Sequence, residues 1–379
     1  MILDVDQHLF EPRGAWRDHI DPRWRDAALA IEDDALGWPW LTWRGRQLYP
    51  VESQRPMHPE EVGEERVLRA KGAPAPAPWE DRLPPSYADP GVRVAQLDQF
   101  GVDASVLFPN FGLVWEDMLA SDLGALCANL RAYNRWLVDT LSGWSARLHG
   151  VAHVSLRDGE WAIEEIGRLG REGVRLAMVA PSPVDGRPLA DPALDAVWAA
   201  FCDAGVAPVF HVGNFDGPLD RAWHACDPEP VDRVLDSVML WVAPAVALAN
   251  LILHGVFDRF PDLRVGVVEL TAGWVPGFML NLDGASDFYA ARHGGPVKEL
   301  QLRPSEYLLR NVRVAALAYE GPAYLVKKVG EDVFMFGSDW PHAEGIAHPR
   351  TDYEAALAGV PDSARAKVMG ANAAWLLRL

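Results

Sequence analysis

Met1-Ile-Leu-Asp-Val-Asp-Gln-His8 opens the chain, an apolar start that breaks into alternating carboxylate and imidazole groups. Residues 1–6 read as a first strand, and period-two spacing points Asp4, Asp6 and His8 toward one face. Short apolar or β-branched runs of the same kind follow at residues 104–109, 150–156, 175–180, 207–212, 264–270, 312–318 and 333–337. Helix-like stretches lie between them, among them 123–145, 159–170 and 192–205, the last ending on Gly205 as a helix terminator does. Strands alternating with helices imply parallel pairing, and eight such units imply a closed α/β structure, a (β/α)8 TIM barrel. In that architecture the C-terminal ends of all strands meet at one mouth. The expectation is one domain over residues 1–379 with an insertion at about 21–90.

The insertion is rich in Trp, Pro and charge and includes Ala73-Pro-Ala-Pro-Ala-Pro78, so it forms no strand–helix unit. It reads as a lid over the mouth, with a disordered or dimer-covering loop as the other reading of the same composition. The chain has 379 residues, enough for a sizeable core, and 53 acidic against 35 basic side chains. A field this negative repels phosphate backbones, which argues against nucleic acid as a partner. Three cysteines, Cys127, Cys202 and Cys226, fall in no metal-like or redox-like spacing, so reduced thiols and a cytoplasmic location are expected. No signal peptide is apparent at the N-terminus. The apolar stretch 238–257 contains Pro244, Asn250 and His254 and lacks basic flanks, which favours a buried helix over a membrane span.

Asp6 and His8, at the end of the first strand, are placed to share a cation. His211 ends the apolar run Pro208-Val-Phe-His-Val-Gly213, and Asp339 ends Phe334-Met-Phe-Gly-Ser-Asp339. Each alone is an ordinary strand ending or a core histidine. Together they set carboxylate and imidazole groups at the exits of the first, fifth and eighth barrel strands. One divalent metal ion is expected there, Zn²⁺ by the mixed N and O donors, with Mn²⁺ admitted by the carboxylates.

The chain resembles the amidohydrolase superfamily, in the branch that holds aminocarboxymuconate-semialdehyde decarboxylase and the γ-resorcylate and dihydroxybenzoate decarboxylases. The resemblance rests on Ile2-Leu-Asp-Val-Asp-Gln-His-Leu-Phe-Glu-Pro12, Gln99-Phe-Gly-Val-Asp-Ala104, Tyr133-Asn-Arg-Trp136, Phe210-His-Val-Gly213, Gly255-Val-Phe-Asp-Arg-Phe-Pro-Asp-Leu263 and Phe336-Gly-Ser-Asp-Trp-Pro-His342. It implies that Asp6 and His8 occupy the two first-strand ligand positions, His211 the fifth-strand position and Asp339 the eighth. Where many relatives carry a His at the end of the sixth strand, this chain has Val268-Glu-Leu-Thr-Ala-Gly-Trp274, so Glu269 falls there as a proton carrier or an extra ligand. Glu11 is expected to bend toward the metal or to support its surroundings. His342, Trp274 and Trp340 are expected to border the substrate, whereas His254 is read as mainly structural and Arg157 and His153, flanking the third strand, as weaker candidates.

Two reactions share these ligands. One is decarboxylation of an aromatic or unsaturated carboxylic acid, with Glu269 or Asp339 supplying the proton. The other is hydrolysis of an ester, lactone or amide by a metal-activated water. A catalytically silent scaffold is the reading from another class, and intact strand-end ligands argue against it. Analogy with the branch favours the carboxy-lyase. A small-molecule substrate and a homodimer complete the expectations.

Overall fold

The computed structural model describes residues 1–213, 219, 221–226, 234–296 and 298–379. The strands are β1 (Leu3–Leu9), β2 (Leu29–Asp33), β3 (Pro39–Trp43), β4 (Arg46–Pro50), β5 (Ala104–Pro109), β6 (Leu148–His153), β7 (Leu176–Met178), β8 (Ala207–Phe210), β9 (Val265–Val267), β10 (Val312–Ala316) and β11 (Phe334–Phe336). Eight of them form one sheet in the order β1-β5-β6-β7-β8-β9-β10-β11, with parallel pairing throughout. These are the eight runs expected from sequence, trimmed or shifted at their ends. The sheet curls into a barrel with helices outside, the (β/α)8 architecture.

The barrel closes between β1 and β11 by other means than a continuous ladder. Backbone pairing there is a single bridge, Gln7 with Trp340, and the His8 N–H donates to the Trp340 carbonyl at 2.9 Å. Asp4 supplies the rest. Its carboxylate accepts from the Ser338 hydroxyl at 2.6 Å, the Ser338 N–H at 3.0 Å and the Gln7 side chain at 2.9 Å. The β1–β5 register shifts between Asp4 and Gln7, so Asp4 serves the seam while Asp6 and His8 reach the mouth. Across the seam, a Cβ on Gly337 would lie 2.9 Å from the Asp6 Cβ, a contact that only glycine avoids.

The core has two parts. Leu3, Val5, Val106, Phe108, Val151, Leu176, Met178, Val209, Ala315 and Met335 pack together as one buried cluster, and a larger one lies between strands and helices. The helix Gly159–Arg171 shows the pattern: Asp158 caps it by accepting from the Trp161 N–H, and Ala162, Glu165, Ile166 and Leu169 line one buried stripe. The helix Val242–Leu253 is buried over most of its length, and among the described residues no helix is long and apolar enough to cross a membrane.

The insertion is a structured unit. β2, β3 and β4 form a three-stranded antiparallel sheet, followed by the helix Pro59–Ala70. The Trp38 indole donates to the Ala73 carbonyl at 2.7 Å, and the Arg69 guanidinium lies over Trp38 and Trp40. Trp content read from sequence as a cover therefore serves first as the unit's own core. It is fastened to the β11 exit: the Ala343 N–H donates to the Gln54 side chain at 3.1 Å, and the Met57 N–H donates to the Ala343 carbonyl at 3.1 Å.

Candidate metal centre

Two imidazoles are turned inward by their own backbone surroundings. The His8 Nδ1–H donates to the Pro109 carbonyl at 2.9 Å, and the His211 Nδ1–H to the Val212 carbonyl at 3.0 Å. Each Nε2 is thereby left as a lone-pair donor toward the same space. The Phe108 ring packs against His211 with centroids 4.1 Å apart, which fixes the second ring's tilt.

The carboxylates complete the space. His8 Nε2 lies 3.7 Å from Asp6 Oδ1, 3.7 Å from Glu269 Oε2 and 3.4 Å from Asp339 Oδ1. His211 Nε2 lies 3.6 Å from Asp6 Oδ1 and 3.2 Å from Glu269 Oε2. Both Asp6 oxygens, His8 Nε2, His211 Nε2 and Glu269 Oε2 are buried without a hydrogen-bond partner. Leaving this many buried polar atoms unpaired is costly. A cation with ligand bonds of about 2.0–2.2 Å holds tetrahedral donors about 3.3–3.6 Å apart, close to the spacings of 3.2–3.7 Å found here.

The donors fall into two overlapping groups, one of Asp6, His8, His211 and Glu269, the other of His8, Glu269, Asp339 and His342. The structure thus brings three of the expected ligands, Asp6, His8 and His211, together with Glu269, whereas Asp339 joins His8 and Glu269 on the side of His342. The His342 ring stacks on His8 at 3.8 Å between centroids, its Nδ1 is 2.8 Å from Asp339 Oδ1, and its Nε2 is 2.9 Å from Asn110 Oδ1.

Charge balance follows from this crowding. Burial disfavours a charged His8, but the neighbouring Asp339, Asp6 and Glu269 carboxylates outweigh it and raise its pKa well above the ordinary value. Burial likewise opposes the Asp339 carboxylate, while His342 and His8 hold it below the usual carboxylate range. Burial, reinforced by Asp339, pushes the Glu269 carboxyl up to about 7. A divalent cation bound among these groups would compete with protons for the same donor atoms.

Two members sit on strained backbone. Asp339 (φ 55°) and Glu269 (φ 52°) both occupy the left-handed region, as does Thr271 (φ 56°) two residues on. Such residues cost about 1–3 kcal/mol each and cluster at functional sites. A Cβ on Gly345 would fall 2.2 Å from the Asp339 carbonyl oxygen, so glycine there permits the loop to fold back over β11.

A cavity of about 730 Å³ opens onto this centre. Glu269 and His342 line it beside Asn110, Phe111, Leu113, Val114 and Val212, and the insertion contributes Tyr49, Glu52, Gln54, Val62 and Arg66. Trp274 and Trp340, expected at the wall, are absent from the lining. Trp340 is buried among Tyr87, Phe100 and Arg93, and the Trp274 indole donates to the Thr271 carbonyl. Glu11 does not reach the donors. Its carboxylate accepts from the N–H groups of Asn110, Phe111 and Gly112 at 3.2, 3.0 and 2.8 Å. His153 bonds Gly112 and Glu116, Arg157 pairs with Asp117 and Asp185, and His254 bonds Asn250, all apart from the cluster. Sequence reasoning missed Asn110, although its place just beyond β5 at a barrel mouth was a usable signal.

The amidohydrolase family profile matches residues 4–379. The chain belongs to the amidohydrolase family. A 2-amino-3-carboxymuconate-6-semialdehyde decarboxylase of Dictyostelium discoideum is 25% identical over 305 residues, covering 77% of each chain. The crystal structure of an amidohydrolase from Mycobacterium avium subsp. paratuberculosis K-10 is 27% identical, with a TM-score of 0.81, covering 99% of this amidohydrolase and 98% of that chain. A 5-carboxyvanillate decarboxylase from Novosphingobium aromaticivorans DSM 12444, solved with manganese and 4-hydroxy-3-methoxy-5-nitrobenzoic acid, shares the fold at 22% identity and a TM-score of 0.63, covering 83% of this chain and 91% of that one.

Proposed function

We propose that this amidohydrolase is a metal-dependent carboxy-lyase acting on an aromatic or unsaturated carboxylic acid. The placement of Glu269 carries the reading. Among the carboxylates around His8 and His211, it lines the cavity with 12% of its side chain exposed, while Asp6 and Asp339 lie behind at 0% and 1%. Departure of CO₂ leaves an electron pair on the ring or chain carbon, and a proton must reach that carbon from the substrate side. Glu269 is the acid that faces it. When the C–CO₂ bond breaks, the Glu269 proton passes to the carbon and the carboxylate is reprotonated by water.

Asp6, His8, His211 and Asp339 are the proposed ligands of one divalent cation. Zn²⁺ fits the mixed donors, and Mn²⁺, the ion in the carboxyvanillate decarboxylase, is the second candidate. When bound, the cation supplies a Lewis acid for the substrate's carboxylate and a neighbouring oxygen. His342, steadied by Asn110, orients the substrate beside it. The two decarboxylase relatives favour this chemistry over hydrolysis of an ester, lactone or amide. Residues 21–90 act as a single-domain insertion that covers the mouth and excludes water. The proposal extends to a homodimer in the cytoplasm.

A panel of aromatic acids and lactones, read separately for CO₂ and for product mass, tests the reaction. CO₂ release is expected from an acid, and a lactone opened without CO₂ would overturn the reading. Glu269→Gln then tests the role: it should retain metal and lose on the order of 10²-fold in kcat. Near-normal turnover removes Glu269 as the acid, and lost metal makes it a ligand.

A further inference from the structure

The loop after β9 holds Glu269 in place against its own backbone preference. Glu269 and the β-branched Thr271 both have positive φ, 52° and 56°, within three residues. A segment with two such residues keeps this conformation only where the surrounding structure over-determines it. Something outside the loop must hold it.

That group is Glu320, from the 3₁₀ turn Ala318–Glu320 after β10. Its Oε1 accepts from two successive N–H groups, Ala272 at 2.7 Å and Gly273 at 3.0 Å. Its Oε2 accepts from the Leu317 N–H at 2.9 Å, which fixes the carboxylate on its own turn. Successive N–H groups converge on one anion only when the intervening backbone is bent to form a concave nest. On the other side the Trp274 indole donates to the Thr271 carbonyl at 2.9 Å and packs edge-on against Phe278. The loop is thus gripped from two directions, and the anionic grip comes from the neighbouring barrel strand's exit.

We infer that Glu320 is a positioning residue for Glu269, clamping the left-handed loop that aims the Glu269 carboxyl into the cavity. It is a member of neither the cavity lining nor the donor cluster among the described residues, so it acts on the reaction through the loop that it holds. The charge matters because hydrogen bonds to an ionised acceptor are stronger than neutral ones, and here a single oxygen carries two. In its kinetic consequence the inference rests on the proposed carboxy-lyase role of Glu269.

Three variants of the full chain test it: Glu320→Ala, Glu320→Gln and Glu320→Ala combined with Thr271→Gly. Amide exchange is the first readout and needs no substrate. In Glu320→Ala the Ala272 and Gly273 amides should exchange at least about 10-fold faster while β9 and β10 stay protected. The second is the kcat against KM split on an acid that the wild-type protein decarboxylates. Misplacing a catalytic group lowers turnover more than binding, so kcat should fall by about 10-fold or more with KM within about 3-fold. Glu320→Gln, which keeps one acceptor oxygen, should retain more of kcat than Ala. Thr271→Gly removes the left-handed cost of a β-branched residue and should restore part of the loss. Wild-type exchange at Ala272 and Gly273 in Glu320→Ala overturns the clamp, as does unchanged kcat beside fast exchange. If Glu320→Ala fails to fold, Glu320→Gln and the double variant are read by the same two criteria. A wild-type protein that decarboxylates no acid in the panel instead removes the reaction, leaving exchange to uphold or overturn the clamp.

Discussion

Replacing Glu11 by Gln separates two forces that meet on one buried carboxyl. Glu11 has no exposed surface, and its oxygens face the three N–H groups of the turn after β5. Those donors favour the ionised form, burial favours the neutral one, and burial wins, pushing the carboxyl from 4.5 up to about 7. A folded-state pKa raised above the unfolded one means that folding binds a proton more tightly. The associated stability is complete below about pH 4.5 and is lost as pH rises through about 7. At about 1.4 kcal/mol per tenfold in proton affinity, the full effect is about 3 kcal/mol, most of it between about pH 5 and about pH 8. Urea unfolding of both proteins across that interval measures it. The wild-type protein should lose stability relative to Glu11→Gln as pH rises. Parallel profiles would refute the reasoning, because they would mean that the three N–H groups keep Glu11 ionised throughout.

Asp6→Ala, His8→Ala, His211→Ala and Asp339→Ala should each lower divalent metal from about one ion per chain, read by elemental analysis, with the circular dichroism of the fold retained. A full complement in His211→Ala would exclude that residue as a ligand. Excising Ala73-Pro-Ala-Pro-Ala-Pro78 and closing the gap should alter turnover and substrate preference, because Trp38 donates to Ala73 and the insertion lines the cavity. Unchanged kinetics would remove that tract from any lid.

The barrel was legible because each strand is a short apolar run between helix signals, and parallel sheets covered on both faces leave that mark. The candidate ligands Asp6, His8, His211 and Asp339 stood out for a related reason: a polar group that ends an apolar run is conspicuous. Asp4 did not separate from Asp6 and His8, because the register shift that sends it to Ser338 leaves no trace in period-two spacing. The insertion's sheet was missed because its tryptophans and charges follow no clean alternation, and its order comes from contacts such as Arg69 over Trp38. Trp274 and Trp340 looked like pocket walls by composition alone. Their indole and ring partners are set by tertiary packing, and so is the pairing of Glu320 with a loop 47 residues earlier in the chain.

The seam between β1 and β11 joins the first and last strands of the barrel sheet, with Asp4 and Ser338 separated by 334 positions. Asp6 and His8 lie on one side of that seam and Asp339 on the other. The candidate donor set is therefore complete only when the exits of β1, β8 and β11 have come together. Ion capture at this centre would report closure of the barrel, and it should be absent from a variant whose seam stays open. An ion bound across the joint would also act as a rivet at the point with least ladder pairing, so that chelation should first loosen the N-terminal strand and leave the opposite wall intact.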